Sequence, residues 1–191
     1  MGQAKQKAKL FDDWKSKFSD DEKTVFDVAY RLHNNVIVPR KAFGMCYHSV
    51  FFLYLYLKEK YGIVTSPVIA YVNDGTDDIY ISHAWLEFNQ KQVDISLSVA
   101  DPRIGLAGEP IILDRVMKAG HKYGYFLEIP EAGLRAHEML RLTGSRLLLE
   151  HKEQEHAAMC QRVNDDAAIR IYLDAEPNGF DYNKIAALVE A

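Results

Sequence analysis

Apolar side chains at Leu10, Phe11, Trp14 and Phe18 recur at helical spacing, which predicts a short first amphipathic helix. Ser19-Asp20-Asp21-Glu22 then has the form of a capping box, the Ser19 hydroxyl serving an amide three residues on and Glu22 reaching back. A second helix is expected from there, with Val25, Phe26, Val28, Ala29 and Leu32 on its core face and an end at His33-Asn34-Asn35. Val36-Ile37-Val38-Pro39-Arg40 is expected to run on as an extended connection, because a residue before proline is pushed out of the helical region. From Tyr47 to Tyr61 the chain is apolar almost all round, the pattern of a helix in the middle of a protein, and Gly62 provides its stop.

The period then changes. Pro67 to Val72 reads as a strand, Asn73 to Asp78 as the turn after it, Ile79 to Phe88 as a second strand, Asn89-Gln90 as a tight turn, and Lys91 to Leu97 as a third strand. A looser stretch follows from Asp101-Pro102 through Gly105, Gly108 and Pro110. A short helix is expected from Ile111 to Ala119, stopped by Gly120, and a further strand from Tyr123 to Ile129, ended by Pro130. The remainder reads as helical: Ala132 to Leu142, Ser145 to about Val163, and a last helix through Ile185 and Leu188 after a break at Asp174 to Gly179. The fold class expected is α+β, a central helix on an antiparallel sheet with helices at both ends. The whole of 1–191 is expected to form one domain, with a core at 40–130 and helical extensions at 10–35 and 131–191.

Composition narrows the function classes. With 48% hydrophobic residues among 191, the chain can fill one core without disulfide staples. A net charge of -4 and a pI near 6.0 provide no electrostatic reason for nucleic acid or an anionic membrane as partner. The strongly apolar run from Val50 to Leu57 is too short to span a bilayer. Lys5, Lys7 and Lys9 are followed by no apolar leader core, so no secretory signal is expected and the first ten residues read as a frayed, solvated tail. Gln6 stands where a myristoylation pattern wants Ser or Thr. Two cysteines far apart, Cys46 and Cys160, fit a reduced cytoplasmic protein.

Those cysteines direct attention to chemistry. Gly44-Met45-Cys46 delivers a thiol to the first turn of the central helix, where unpaired N–H groups and the helix dipole favour a thiolate. Downstream, His83 and Asp94 each lie in a strand-like run. With a turn at Asn89-Gln90, His83 falls opposite a position near 96, so Asp94 is a diagonal neighbour on the same face. A thiol beside an imidazole beside a carboxylate can attack a carbonyl: the imidazole takes the proton and the carboxylate fixes its tautomer. Cys46, His83 and Asp94 are therefore the candidate catalytic residues. No cofactor and no metal are expected: His151 and His156 lie off a shared helix face and read, with His137, as solvated helix histidines. The carboxylates of Asn73 to Asp78 do not have EF-hand spacing, and Cys160, with no nearby partner expected, reads as a small packed residue. Tyr54, Tyr56 and Tyr61 read as buried rings whose hydroxyls reach the rim.

Gly44-Met45-Cys46-Tyr47-His48-Ser49 with its helix, His83-Ala84-Trp85-Leu86-Glu87-Phe88 and Val93-Asp94-Ile95-Ser96 together resemble the core of the transglutaminase-like superfamily of papain-like cysteine enzymes. The resemblance covers roughly residues 40–100, and the His-Ala-Trp block is its most specific piece. It implies a papain-like core, Cys46 as nucleophile, His83 as general base and acid, and Asp94 as the orienting acid. Asn34, Asn35 and the Cys46 amide are the candidates for an oxyanion hole. The reaction it implies is thiol hydrolysis of a peptide or side-chain amide, as by a protease, amidase or deamidase, with a protein or peptide as substrate. One alternative is acyl transfer to an amine, as in a transglutaminase or an enzyme resembling the arylamine N-acetyltransferases. Another is a non-catalytic interaction module whose triad is vestigial and whose helical C-terminal third binds a protein.

Overall fold

Helix α3 (Cys46–Tyr61) begins at the cysteine and ends at Gly62, whose φ of 68° closes it in the left-handed conformation that glycine adopts without penalty. The computed structural model describes residues 2–100, 105–177 and 179–191. Of the eleven residues of α3 from Tyr47 to Leu57, all but Tyr54 are buried. Such a helix needs partners on every side. On one side it has the sheet strands β1 (Ser66–Asn73) and β2 (Ile81–Phe88); elsewhere α2 (Asp20–Leu32), α6 (Asp166–Asp174) and α7 (Tyr182–Glu190) close around it. Phe51, Phe52, Leu53 and Leu55 meet Ala84, Leu86, Phe88 and Val93 in one cluster, which runs in sequence from Phe18 to Val189.

The sheet is antiparallel, in the order β5-β4-β3-β2-β1-β6, with β3 at Lys91–Asp94, β4 at Ile111–Ile112, β5 at Arg115–Val116 and β6 at Gly124–Phe126. Asn89 and Gln90 both have positive φ, 49° and 62°, the geometry that matches a two-residue turn to the strand twist. The register that follows pairs Leu86 with Val93 and Phe88 with Lys91. Extended three residues, that register sets His83 opposite Ser96 and leaves Asp94 diagonal to it on the same face. Mixed α+β architecture with an antiparallel sheet is thus the observed fold. Among the described residues no helix is long and apolar enough to cross a membrane.

The capping box at α2 is complete: the Ser19 hydroxyl accepts from the Glu22 amide at 3.2 Å and the Glu22 carboxylate accepts from the Ser19 amide at 2.8 Å. Ser19→Ala is expected to cost about 1 kcal/mol, lowering the midpoint of thermal unfolding by roughly 2–4 °C. Ser19→Asp should recover most of it, as followed by circular dichroism.

Several local expectations are overturned. The first residues form not a frayed tail but helix α1 (Gln3–Lys15), which packs Phe11 and Trp14 against Phe26. Val36 to Arg40 is not extended: α2 runs into a π turn over His33–Ile37, and Val38 keeps helical dihedrals of -67° and -51° before Pro39. The reason is burial, since Val36 and Ile37 are fully enclosed and that gain exceeds the local pre-proline preference. Ile111 to Ala119 is not a helix but the hairpin β4–β5, turning through Leu113 and Asp114 at positive φ. Its β-branched residues add a strand to the free edge of β3. β3 ends at Asp94 rather than Leu97, because Ser96 turns its amide back onto the Asp94 carboxylate. Asp101-Pro102 lies outside the described residues; within the loose stretch, Gly108 bridges to His121. The helical tail comprises α4 (Glu131–Leu140), a π turn at Arg141–Ser145, α5 (Arg146–Arg162), α6 and α7.

Candidate active site

Cys46 is the first residue of α3 and is half-buried. Gly44 precedes it with φ of 72°, and Met45, fully buried, serves as the N-cap without a side-chain hydrogen bond. The first amides of a helix have no intrahelical acceptors, so the thiol sits where backbone N–H groups converge.

His83 and Asp94 are almost wholly buried, 3% and 2% exposed, and their side chains meet at 2.6 Å between Nε2 and Oδ2. The carboxylate is fully engaged. Oδ2 also accepts from the Tyr125 hydroxyl at 2.8 Å, and Oδ1 accepts from the amide and the hydroxyl of Ser96, each at 3.1 Å. Burial by itself would push the Asp94 carboxyl up. The charge and hydrogen bond of His83, with those from Tyr125 and Ser96, outweigh it and hold the group below its ordinary value. Burial likewise acts to lower His83, but the Asp94 carboxylate, followed by the Cys46 side chain through hydrogen bonding and charge, raises it to about 10. Cys46 and His83 are therefore neighbours that interact. With Nε2 committed to Asp94, Nδ1 is the ring nitrogen left to exchange a proton with the thiol.

The other nearby histidine has a different character. His48 is buried in the first turn of α3, and burial lowers it to about 4, so it stays neutral. Two residues beyond Cys46 it is turned about 200° around the helix. Its ring stands edge-on to Tyr172 of α6, 6.2 Å between centroids. Tyr172 feels the charge of Cys46, which adds to burial in raising its hydroxyl.

The proposed oxyanion donors resolve unequally. The Asn34 amide donates to the Tyr30 carbonyl and that of Asn35 to the Leu188 carbonyl, both at 2.9 Å, so each is anchored to backbone through one of its two N–H groups. The Cys46 amide stays at the helix start. Two expectations on the C-terminal histidines and cysteine are corrected. His137 is buried, and His156 is half-buried, stacked on Tyr71 at 4.6 Å between centroids and bonded through Nδ1 to Ser82 at 2.5 Å. Cys160 has a partner, its Sγ 3.4 Å from His156 Nε2. For His156 the reason is that α5 lies on β1 and β2, which supply Tyr71 and Ser82; Cys160 is met from within α5, by His156 one turn before it. Among the described residues no group of three His, Cys, Asp or Glu is placed to hold a metal ion.

Tyr125 and Ser96 escaped sequence reasoning. Ser96 had a local signal, the Asp-x-Ser spacing in which a carboxylate accepts from the amide two residues on. Tyr125 had none, since 31 residues separate it from Asp94. No protein-family model, no curated protein and no solved structure matches this chain.

Proposed function

We propose that the protein is a transglutaminase-like cysteine enzyme with a papain-like core, a thiol hydrolase that acts on a peptide or side-chain amide. The observation that carries this reading is the buried His83–Asp94 pair, acted on by the thiol at the start of α3. A buried imidazole kept cationic by a carboxylate is costly unless it serves a partner, and the adjacent thiol is the group it stabilises as an anion.

In this mechanism the Cys46 sulfur attacks the amide carbon and the carbonyl oxygen takes the negative charge, facing the Cys46 amide and the helix start. The C–N bond breaks as His83 passes its proton to the departing amine or ammonia, leaving a thioester on Cys46. Water then adds to the thioester with its proton going to His83; the C–S bond breaks, the acid leaves, and the thiolate–imidazolium pair is restored. Asp94 orients the ring throughout and stabilises its cationic form. An amine in place of water gives acyl transfer.

The test uses p-nitrophenyl acetate as acyl donor, with stopped-flow detection of nitrophenolate and peptide mapping by mass spectrometry. A burst with the acetyl group on Cys46, absent in Cys46→Ala and not shifted to Cys160, is the expected result. Added glycinamide tells whether water or an amine takes the acyl group. Acetylation spread equally over both cysteines and indifferent to His83→Ala overturns the proposal.

A further inference from the structure

A second polar network lies beside the first and ties three elements together. Ser82, the residue before His83 on β2, has its hydroxyl 2.6 Å from the Tyr47 hydroxyl and 2.5 Å from His156 Nδ1. Tyr47 is the residue after Cys46. Ser82 and Tyr71 are cross-strand partners on β2 and β1, and the His156 ring covers both, stacked on Tyr71 while bonded to Ser82. Its far nitrogen reaches Cys160, one helical turn further along α5. Tyr47 is buried, and Met159 anchors this part of α5 in the core.

We propose that His156 is a positioning residue for the Cys46–His83 pair: through Ser82 and Tyr47 it fixes the start of α3 against β2. The proposal rests on the hydrolase reading above and deepens it. Proton transfer between Sγ and Nδ1 needs placement to within about 0.5 Å, and a displacement near 1 Å can cost about 100-fold in rate. Neither residue of the pair is held to the other by a shared element, since one opens a helix and the other lies within a strand. The hydroxyl pair of Tyr47 and Ser82 is the direct tie between their backbone neighbours. A hydroxyl pair alone has rotational freedom; the imidazole removes it. In one arrangement Tyr47 donates to Ser82, Ser82 donates to Nδ1, and Nε2–H points at the Cys160 sulfur, so each donor has an acceptor. Burial lowers His156 from its ordinary value, which keeps the ring neutral and able to accept.

The experiment is site-resolved alkylation by iodoacetamide across pH 5–9 in the wild type, His156→Ala, His156→Asn, Ser82→Ala and His83→Ala, with thermal unfolding of each. Asparagine places an amide where Nδ1 stands but has no ring to stack on Tyr71. His156→Ala and Ser82→Ala are expected to slow Cys46 alkylation at neutral pH about tenfold, while His156→Asn recovers most of the rate despite melting as low as His156→Ala. Equal slowing in His156→Ala and His156→Asn marks a packing role and overturns the proposal. Wild-type rates in both, with His83→Ala still slow, overturn it while leaving the Cys46–His83 pair standing. A His83→Ala variant that alkylates like the wild type removes the pair itself, and the positioning role with it.

Discussion

Replacing His83 by alanine is expected to slow alkylation of Cys46 by iodoacetamide about 100-fold near pH 6.5, with the difference closing above pH 9. The magnitude follows from the behaviour of an ordinary thiol, which ionises near 8.5 and is about 1% thiolate two pH units below that. In the proposed mechanism the imidazolium beside the sulfur is what favours the anion. His83 carries that charge across the neutral range, since Asp94 and Cys46 together raise it to about 10 against the opposing effect of burial. Removing the ring leaves only the helix start to favour the thiolate, an effect of about 0.3–1 kcal/mol at an exposed terminus, too small to replace a buried cation. Cys160 in the same molecule is the reference thiol, because burial pushes it up and its imidazole partner is lowered rather than charged. In wild type at pH 6.5 Cys46 should therefore react and Cys160 should not. Equal rates at the two cysteines, unchanged by His83→Ala, would sink the enzyme reading. Rates measured by quenched-flow labelling and peptide mass spectrometry decide it.

The parts of this arrangement that could be read from the chain are those whose determinants are local. Gly44 before Cys46, the apolar run to Tyr61 and the stop at Gly62 are one helix's own punctuation, so α3 is as its sequence predicts. Asn89-Gln90 tolerates the positive φ of a tight turn, and once the turn is placed the period of two determines that His83 and Asp94 share a face. What was illegible depended on partners distant in sequence. Ile111 to Ala119 has helix-like length and a glycine stop, but the open edge of β3 makes it a hairpin. Val36 and Ile37 precede a proline by a few residues, yet their burial under the core bends the chain through a π turn. His156 read as solvated because helix spacing sets it off the face of His151; Tyr71 and Ser82 come to it from 85 and 74 positions away, the second spacing being that of the Ser82 bond. The Cys/His/Asp order was visible, whereas the groups that seat it, Tyr125, Ser82 and His156, were not.

Asp94→Asn is expected to destabilise the protein by about 3–5 kcal/mol, the cost of removing one partner from a buried ion pair, and to lower the thermal midpoint by roughly 6–20 °C. The substitution changes almost no volume, so the loss is electrostatic and hydrogen-bonding in origin. Asp94 accepts four bonds, from His83, Tyr125 and twice from Ser96. An asparagine has one oxygen, and whichever side its NH2 group faces meets donors instead of acceptors. The pH dependence separates this from a packing defect. The raised pKa of His83 stabilises the folded state fully below its unfolded value near 6.5, and that contribution is lost as pH rises through about 10. The lowered pKa of Asp94 stabilises above its unfolded value near 3.8, and is lost as pH falls through the still lower folded value. The gap between wild type and Asp94→Asn should accordingly be widest from about pH 4 to 7 and narrow on the alkaline side toward pH 10. A gap of constant size from pH 5 to 10, followed by thermal unfolding at fixed ionic strength, would mean that the pair is not charged in the folded protein. In that case the imidazolium on which the thiolate depends would be absent, and the chemistry assigned to Cys46 would lose the acid that protonates its leaving group.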